Sequence, residues 1–255
     1  MRFRFKQRLA GATPQRGTFV FSADAAVTEI VGRAGFDFVI VDREHTTLGW
    51  REIEAHARAA RAAGIAILVR VAACDPVEVT HALDLGADGV VLPHFGLDRE
   101  ASKAASKAAR YAPAGDRGTC TGIRANSYSL DVFARTVEEA NAGAAVVVQI
   151  EDAEVLDHLD DLFASVPVDG VMPGLADLST SLGHPGGFSH PEVLAAADRM
   201  FASVNRAGLP LGFYIANPGE VSRWAAREAA FHVFSIDYKV LAEGYRAAAE
   251  ALLKS

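Results

Sequence analysis

Short runs of consecutive apolar residues recur along this chain and alternate with longer stretches that mix apolar and charged positions. The runs have the length of β-strands, and several are apolar on successive residues, as in strands covered on both faces. The pattern predicts eight strands, at residues 17–23, 36–42, 66–72, 88–93, 144–151, 168–174, 211–217 and 231–237.

The stretches between these strands have the spacing of amphipathic helices. In residues 51–64, 75–87 and 218–230 the apolar positions fit one buried helix face, and Gly64 and Gly86 offer helix stops. About eight strand–helix units predict an α/β fold, a closed (β/α)8 TIM barrel. An open doubly wound sheet is the alternative, but no GxGxxG motif follows the first strand.

One connection is much longer than the others. Residues 111–131, rich in Gly, Ser, Thr and Pro, precede a short helical stretch at 132–141. Long ordered loops in compact domains are often functional. Because no linker, repeat or low-complexity segment divides the chain, we predict a single barrel domain over residues 1–255.

Composition narrows the class of protein. Half of the residues are hydrophobic, and a net charge of -7 argues against nonspecific binding to nucleic acid. The basic N-terminal segment is too short and too charged for a signal peptide, and no apolar run approaches the roughly 18 residues that span a bilayer. Cys74 and Cys120 match no metal or redox spacing and read as thiols in a reducing compartment. We expect a cytoplasmic protein that binds neither nucleic acid nor membrane.

Two acidic residues come directly after buried-looking strands. Glu151 follows the fifth predicted strand and Asp177 follows the sixth. An ionised carboxylate beside a hydrophobic core is costly unless a cation compensates it, so the pair indicates a shared divalent ion. An oxygen-rich shell that includes Gln149 suits Mg²⁺ or Mn²⁺, and Zn²⁺ or Co²⁺ stays open if a histidine or the substrate joins. The alternative is that each acid caps a helix or lies in its first turn.

Other polar residues stand at strand ends, where barrel enzymes place their active sites. They are Asp42, Arg43, Glu44, His45, Arg70, His94 and Asn217. His45 is a candidate general base because histidine titrates near neutral pH, although a loop histidine is often merely solvated. Arg70 lies among apolar neighbours and needs an anion or a carbonyl oxygen, with a structural salt bridge as the alternative.

Several segments carry a resemblance to a known family. They are VDREHTTLGW, ILVRVAACDPVEVTHALDLGADGVVLP, YAPAGDRG, VVVQIED, DGVMPGLADLSTSLG and GFYIAN, in this order. Together they resemble the HpcH/HpaI family of metal-dependent, class II 2-oxo-acid aldolases, and the likeness runs over about residues 17–245.

The resemblance implies catalytic roles for four residues. His45 matches the base, which acts through water. Arg70 matches the arginine that stabilises the enolate oxygen. Asp84 matches the acid that raises the basicity of that histidine, and Asp42 matches an aspartate close to it.

The resemblance also implies a substrate site. Gln149 matches a substrate-binding residue, and backbone groups of the loop at Gly174, Leu175 and Ala176 match those that hold the carboxylate of the 2-oxo acid.

A metal and an assembly are implied in the same way. Glu151 and Asp177 match the ligands of a divalent ion, for which Mg²⁺, Mn²⁺ and Co²⁺ are candidates and Zn²⁺ is not excluded. The family forms homo-oligomers, hexamers or trimers, and the apolar tail YRAAAEALL is compatible with a C-terminal helix packed on a neighbouring subunit.

The implied reaction is the reversible cleavage of a 4-hydroxy-2-oxo acid to an aldehyde and pyruvate, or a related acid such as hydroxypyruvate. Two alternatives stay open. A CoA-ester or phosphoenolpyruvate-type lyase on a related barrel would need a basic groove or a C-terminal lid. A non-catalytic barrel that serves in binding or assembly would have a degenerate site, whereas every matched ligand is present.

The chain departs from the family pattern at a few positions near the site. Arg43 replaces a glycine, Thr46 and Thr47 replace Ala-Pro, Leu175 replaces a proline, and His94 replaces a commoner apolar or polar residue. These differences leave the mechanism in place and leave the physiological substrate open.

Overall fold

The computed structural model describes residues 4–221 and 227–253. Its strands form one parallel eight-stranded sheet in the order β6-β5-β4-β3-β2-β1-β8-β7. They are β1 (Gln15–Val20), β2 (Phe38–Asp42), β3 (Ala66–Arg70), β4 (Gly89–Leu92), β5 (Ala145–Ile150), β6 (Gly170–Pro173), β7 (Gly212–Ile215) and β8 (Phe231–Ile236). A parallel bridge between Val171 and Leu211 brings the two edge strands together, which confirms the predicted (β/α)8 barrel.

Helices surround the sheet. They are α1 (Arg4–Arg8), α2 (Ala26–Arg33), α3 (Trp50–Ala63), α4 (Pro76–Asp84), α5 (Arg99–Lys107), α6 (Phe133–Gly143), α7 (Leu159–Ser165), α8 (Leu175–Ser181), α9 (Pro191–Arg206) and α10 (Asp237–Leu252). Gly64 ends α3 in the left-handed region, as predicted. Of the predicted helix at 218–230, residues 218–220 form a 3₁₀ turn and residues 222–226 lie outside the described part of the chain. No helix among the described residues is long and apolar enough to cross a bilayer.

The inside of the barrel is apolar in its lower and middle layers. Alternate residues of each strand face inward, and large side chains such as Phe38, Leu68 and Val147 fill this space. Helix α1, which the sequence pattern did not predict, closes the amino end of the barrel. Its Phe5 is fully buried, with ring centroids 4.8 Å from Phe38 and 5.3 Å from Phe231.

The same alternation places polar residues in the top inward layer. Two residues after Ile40 comes Asp42, two after Leu68 comes Arg70, and two after Val147 comes Gln149. The register pairs Asp42 directly with Arg70. The period-two pattern that builds the core therefore also aligns the polar groups at the carboxyl ends of the strands.

Candidate active site

Arg70 is the centre of the polar layer. Its Nε donates to Asp42 Oδ1 at 2.5 Å, and its Nη1 lies 3.4 Å from Gln149 Oε1 and 3.1 Å from Glu44 Oε2. Asp42 is fully buried and Arg70 almost so. The salt bridge, which was the alternative interpretation of Arg70, is therefore present, and it fixes the orientation of the guanidinium at the strand ends.

Glu151 lies just beyond β5 and is 2% exposed. Its Oε2 accepts a hydrogen bond from Gln149 Nε2 at 3.0 Å, and its Oε1 accepts one from the backbone N–H of His94 at 2.7 Å. Burial raises the pKa of Glu151 to about 7, and the negative charges of Glu44 and Asp177 act in the same direction. Glu151 does not cap the following helical turn, because Asp152 occupies that position.

Gly174 provides the space that Glu151 needs. A Cβ at this position would lie 2.3 Å from Glu151 Oε2 and 2.5 Å from Glu151 Cβ. The backbone N–H of Gly174 donates to the carbonyl of Ile150 at 3.0 Å, which joins the two strand ends. Only glycine allows β6 to pass so close to the carboxylate.

Glu44 belongs to this cluster, although neither the sequence pattern nor the family resemblance assigned it a role. Its carboxylate is largely buried, 3.5 Å from His94 Nε2 and 3.6 Å from His45 Nε2. Burial raises the pKa of Glu44 above its ordinary value, against the lowering effect of Arg70 and the two histidines. Its Oε2 is buried and forms an ion pair with Arg70 Nη1 at 3.1 Å that lacks hydrogen-bond geometry. Its position between Asp42 and His45, in the loop after β2, is the sequence feature that could have indicated a role in the site.

His94 follows β4 with a backbone conformation unusual for a residue other than glycine. Its φ is 47°, in the left-handed region, which costs about 1–3 kcal/mol unless the surroundings fix it. Its side chain places Nδ1 3.1 Å from Asp152 Oδ2. Burial alone would lower the pKa of His94, but this hydrogen bond and the charges of Glu151, Asp152 and Glu44 raise it above its ordinary value.

The residues present fit a divalent cation. One ligand atom each from Glu44, His94 and Glu151 lie within 4.8 Å of one another. Arg70 pairs with Glu44, but no lysine or arginine among the described residues pairs with the buried Glu151, and a cation between the two carboxylates would stabilise both. The donor set is oxygen-rich with one imidazole, which suits a hard or borderline metal.

A second group of possible ligands lies at the start of α9. Ligand atoms of His184, His190 and Glu192 are equally close. The two imidazole rings stack, with centroids 3.5 Å apart and planes at 24°. Because the nitrogen lone pairs lie in the ring planes, nearly parallel rings do not direct them to one ion, and we assign no metal there.

His45 lies at the exposed edge of the cluster. Its side chain is 59% exposed, and its backbone N–H donates to Asp42 Oδ2 at 2.9 Å. Asp42 is therefore close to the histidine, as expected, but it holds the backbone rather than the ring. The imidazole is free to reach a substrate or a water molecule.

A comparison with known families covers almost the whole barrel. The family model described as HpcH/HpaI aldolase/citrate lyase matches residues 15–243. The chain belongs to this family. The expected carbon–carbon lyase class is confirmed with it.

Named relatives are similar to this chain over most of their own length. The chain is 34% identical to hydroxypyruvate/pyruvate aldolase of Sagittula stellata over 234 residues, 92% of this chain and 91% of the relative. It is 33% identical to 2-dehydro-3,6-dideoxy-6-sulfogluconate aldolase of Pseudomonas putida over 225 residues, 88% and 87% of the two chains. The crystal structure of an HpcH/HpaI aldolase from Desulfitobacterium hafniense superposes with a TM-score of 0.91 at 29% identity, covering 100% of this chain and 98% of that one.

Three residues matched to HpcH/HpaI site positions lie at the loop after β6. Asp177 is exposed in the first turn of α8, which fits the alternative that this acid stabilises the start of a helix. Its negative charge nevertheless raises the pKa of Glu151. Leu175 packs its side chain against the outer core, and Ala176 is exposed. The site in the described chain therefore includes Asp177 as a neighbour of Glu151 and not as a member of the closest ligand group.

Asp84 is the matched HpcH/HpaI residue that the structure does not bring to this site within one chain. It ends α4, which starts near the carboxyl end of β3 and runs back about 13 Å toward the amino end. There its carboxylate binds Arg117 Nη2 at 2.6 Å. The expected support of His45 by Asp84 is thus not formed inside the chain, because the helix direction separates the two residues.

Arg43, a departure from the HpcH/HpaI pattern, turns away from the cluster. Its guanidinium stacks 3.6 Å from the ring centroid of Trp50 and pairs with Glu78 at 2.5 Å. Thr46 donates to the carbonyl of Asp42 at 2.5 Å and shapes the same loop. Asn217 follows β7 and begins a 3₁₀ turn. Arg43 therefore supports the loop that carries Glu44 and does not contribute a charge to the site.

Proposed function

We propose that this HpcH/HpaI family member is a divalent-metal-dependent aldolase that reversibly cleaves a 4-hydroxy-2-oxo acid to an aldehyde and pyruvate or a related 2-oxo acid. The observation that carries the proposal is the buried carboxylate pair of Glu44 and Glu151 beside the guanidinium of Arg70. The names of the relatives support the same reaction class.

Glu151 and Asp177 are the proposed metal ligands, and Glu44, which lies with Glu151 in the closest group of ligand atoms, is proposed as a third. Mg²⁺ and Mn²⁺ suit the carboxylates. A divalent ion held by these residues would supply a Lewis acid that stabilises the enolate of the 2-oxo acid.

Arg70 stabilises negative charge on the keto oxygen as the C3–C4 bond breaks. Its charge is permanent, and Asp42 and Gln149 hold the guanidinium before substrate arrives. A donor that is already oriented needs no reorganisation when the oxyanion develops, which is why such groups contribute strongly to catalysis.

His45 moves the proton. In the cleavage direction its imidazole accepts the proton of the 4-hydroxyl group, directly or through one water molecule, while the C3–C4 electron pair passes to the enolate. The same proton then returns to C3 to give the methyl group of pyruvate. The anchored backbone and exposed ring of His45 suit this exchange with substrate and water.

The loop after β6 is the proposed site for the substrate carboxylate. The N–H of Gly174 is already bonded to Ile150, so the donors are the amides of Leu175 and Ala176 in the first turn of α8. Gln149, bonded to both Arg70 and Glu151, completes the site from the top inward layer of the barrel.

A retro-aldol screen tests the proposal. The enzyme is loaded with Mg²⁺ or Mn²⁺ and given 4-hydroxy-2-oxo acids that differ in chain length and terminal charge, with pyruvate release followed by a lactate dehydrogenase couple. We expect metal-dependent turnover that falls about 10³-fold or more in Glu151→Gln. Glu154→Gln, an exposed acid three residues on, is the matched control and should retain activity. Full activity of Glu151→Gln in EDTA would contradict the proposal.

A further inference from the structure

The connection after β4 brings a histidine against the proposed metal site. The left-handed backbone of His94 directs its N–H to Glu151 Oε1 at 2.7 Å, and its ring Nδ1 lies 3.7 Å from the same oxygen. The backbone and the side chain of His94 are therefore both fixed relative to Glu151.

The ring orientation is set from outside the site. Nδ1 lies 3.1 Å from Asp152 Oδ2, a distance at which the Nδ1–H tautomer donates to the carboxylate. In that tautomer Nε2 carries the lone pair, and Nε2 lies 3.5 Å from Glu44 Oε1. A carboxylate that orients one ring nitrogen while the other faces a metal is the usual arrangement of a histidine ligand.

The spacing of the donor atoms fits one ion. Two ligands that each lie about 2.1 Å from a metal are at most about 4.2 Å apart, and the 3.5 Å between His94 Nε2 and Glu44 Oε1 falls within this limit. Glu151 contributes a second carboxylate as the third ligand, with one ligand atom from each of the three residues within 4.8 Å of the others.

We propose that His94, held by Asp152, is a nitrogen ligand of the divalent ion, and that this chain consequently binds Co²⁺ or Zn²⁺ in preference to Mg²⁺. The inference rests on the proposed metal-dependent function and goes beyond it in assigning the ligand and the metal preference. Imidazole is a borderline ligand that favours late first-row metals, whereas Mg²⁺ favours oxygen ligands and water.

Metal titration of matched variants tests this assignment. His94→Asn removes the imidazole and keeps a residue that tolerates a left-handed backbone. Asp152→Asn keeps the imidazole and removes the orienting charge. His158→Asn makes the same chemical change at an exposed histidine of the next turn and serves as the control. Calorimetry gives the affinities for Co²⁺ and Mg²⁺, and visible absorption reports the ligands of bound Co²⁺.

We expect the ratio of Co²⁺ to Mg²⁺ affinity to fall about 100-fold in His94→Asn and about 10-fold in Asp152→Asn, and to stay unchanged in His158→Asn. The Co²⁺ spectrum should change only in the first two. His94→Phe, checked by circular dichroism for native folding, provides a second variant without a ligand nitrogen.

An affinity ratio and a Co²⁺ spectrum that match the wild type in both His94 variants would overturn the inference and leave the proposed aldolase intact. Failure of the proposed function has a different signature, because the wild-type protein would then bind neither metal and Glu151→Gln would change nothing.

Discussion

Gly174 is the residue at this site with the least freedom to change. It has an ordinary negative φ, so its conformation does not demand glycine; the side chain of Glu151 does. The restriction arises because Ile150 of β5 pairs with Pro173 of β6, so that Glu151 and Gly174 leave the sheet side by side. Sequence position alone shows a glycine in a strand-end loop, and only the packing shows what it protects.

Gly174→Ala should displace Glu151, because the new methyl group would overlap its Oε2 and Cβ. We expect a loss of about 1–3 kcal/mol in the free energy of unfolding and at least a tenfold loss of metal affinity. Urea unfolding and calorimetric titration measure the two effects. Gly118→Ala, where no atom lies within 4 Å of the new Cβ, is the control. Unchanged metal affinity in Gly174→Ala would show that Glu151 does not bind the ion in this position.

Arg70→Lys should retain the fold and lose most of the activity. A lysine keeps the positive charge but cannot hold Asp42 and Gln149 with separate, fixed N–H groups. We expect kcat to fall about 10²- to 10³-fold. Arg70→Met should instead destabilise the protein by about 3–5 kcal/mol, because the buried carboxylate of Asp42 would lose its cationic partner. Steady-state kinetics and urea unfolding separate the two results, and an Arg70→Lys enzyme within twofold of wild type would count against the assigned role.

At the scale of elements, α2 and α3 are joined by a buried polar contact. Thr28 Oγ1 lies 2.8 Å from His56 Nδ1, and His56 Nε2 lies 2.9 Å from the carbonyl of Ser22. The two contacts use one donor and one acceptor of a neutral imidazole. Burial lowers the pKa of His56 below its ordinary value.

This contact predicts a loss of stability in mild acid. The unfolded chain takes up a proton at His56 below about pH 6.5, whereas the folded chain resists it, so the free energy of unfolding falls as the pH falls below that value. One proton contributes at most about 1.4 kcal/mol per pH unit. Urea unfolding at pH 7.5 and pH 5.5 should show a larger loss for wild type than for His56→Gln. Equal losses would exclude this histidine as the cause.

The sequence predicted the strands well because β2 to β6 are buried on both faces, but the limits of the strands depend on distant residues. Strand β1 was predicted at residues 17–23 and ends at Val20. The amides of Phe21 and Ser22 donate instead to the carboxylate of Asp237 at 3.0 Å, a partner from the far end of the chain. Helix α1 was missed for a similar reason. Its segment is rich in basic residues and looks exposed, and only the aromatic side chains at the amino end of the barrel show that Phe5 is buried.

The site was predicted in part. Arg70, Gln149 and Glu151 follow from inward alternation and the strand ends, so local pattern suffices for them. Glu44 and His94 needed the tertiary structure, because loop geometry determines which side chains return toward β5. The resemblance placed Asp84 beside His45, and the direction of α4 shows that no single chain makes this contact.

At the scale of the whole molecule, α10 extends beyond the barrel. Asp237 and Tyr238 anchor its first turn to the end of β1, with Tyr238 Oη donating to the carbonyl of Phe21 at 3.1 Å. Beyond this turn the helix is exposed, including Leu241 and Tyr245, 49% and 75% exposed, and Leu252 on the same face. An apolar face of this kind is typical of a subunit interface, and the expected homo-oligomer remains a prediction.

Leu241→Glu with Tyr245→Glu should therefore lower the molar mass in solution, because each charge would have to be buried in the interface. Sedimentation equilibrium of wild type and variant measures the change. Arg246→Glu, on the polar side of the helix, is the control and should leave the mass unaltered. A monomeric wild-type protein would refute the predicted role of α10.

The aromatic closure at one end of the barrel and the charged layer at the other divide the molecule into a part that maintains the fold and a part that can be redesigned. The seal of Phe5, Phe38 and Phe231 lies at the amino end of the barrel, well below the strand-end loops. A mutant library confined to the exposed Thr47 in the loop after β2 would therefore change the rim of the site while leaving the aromatic seal in place. Directed evolution of this enzyme can begin at the rim without first stabilising the scaffold.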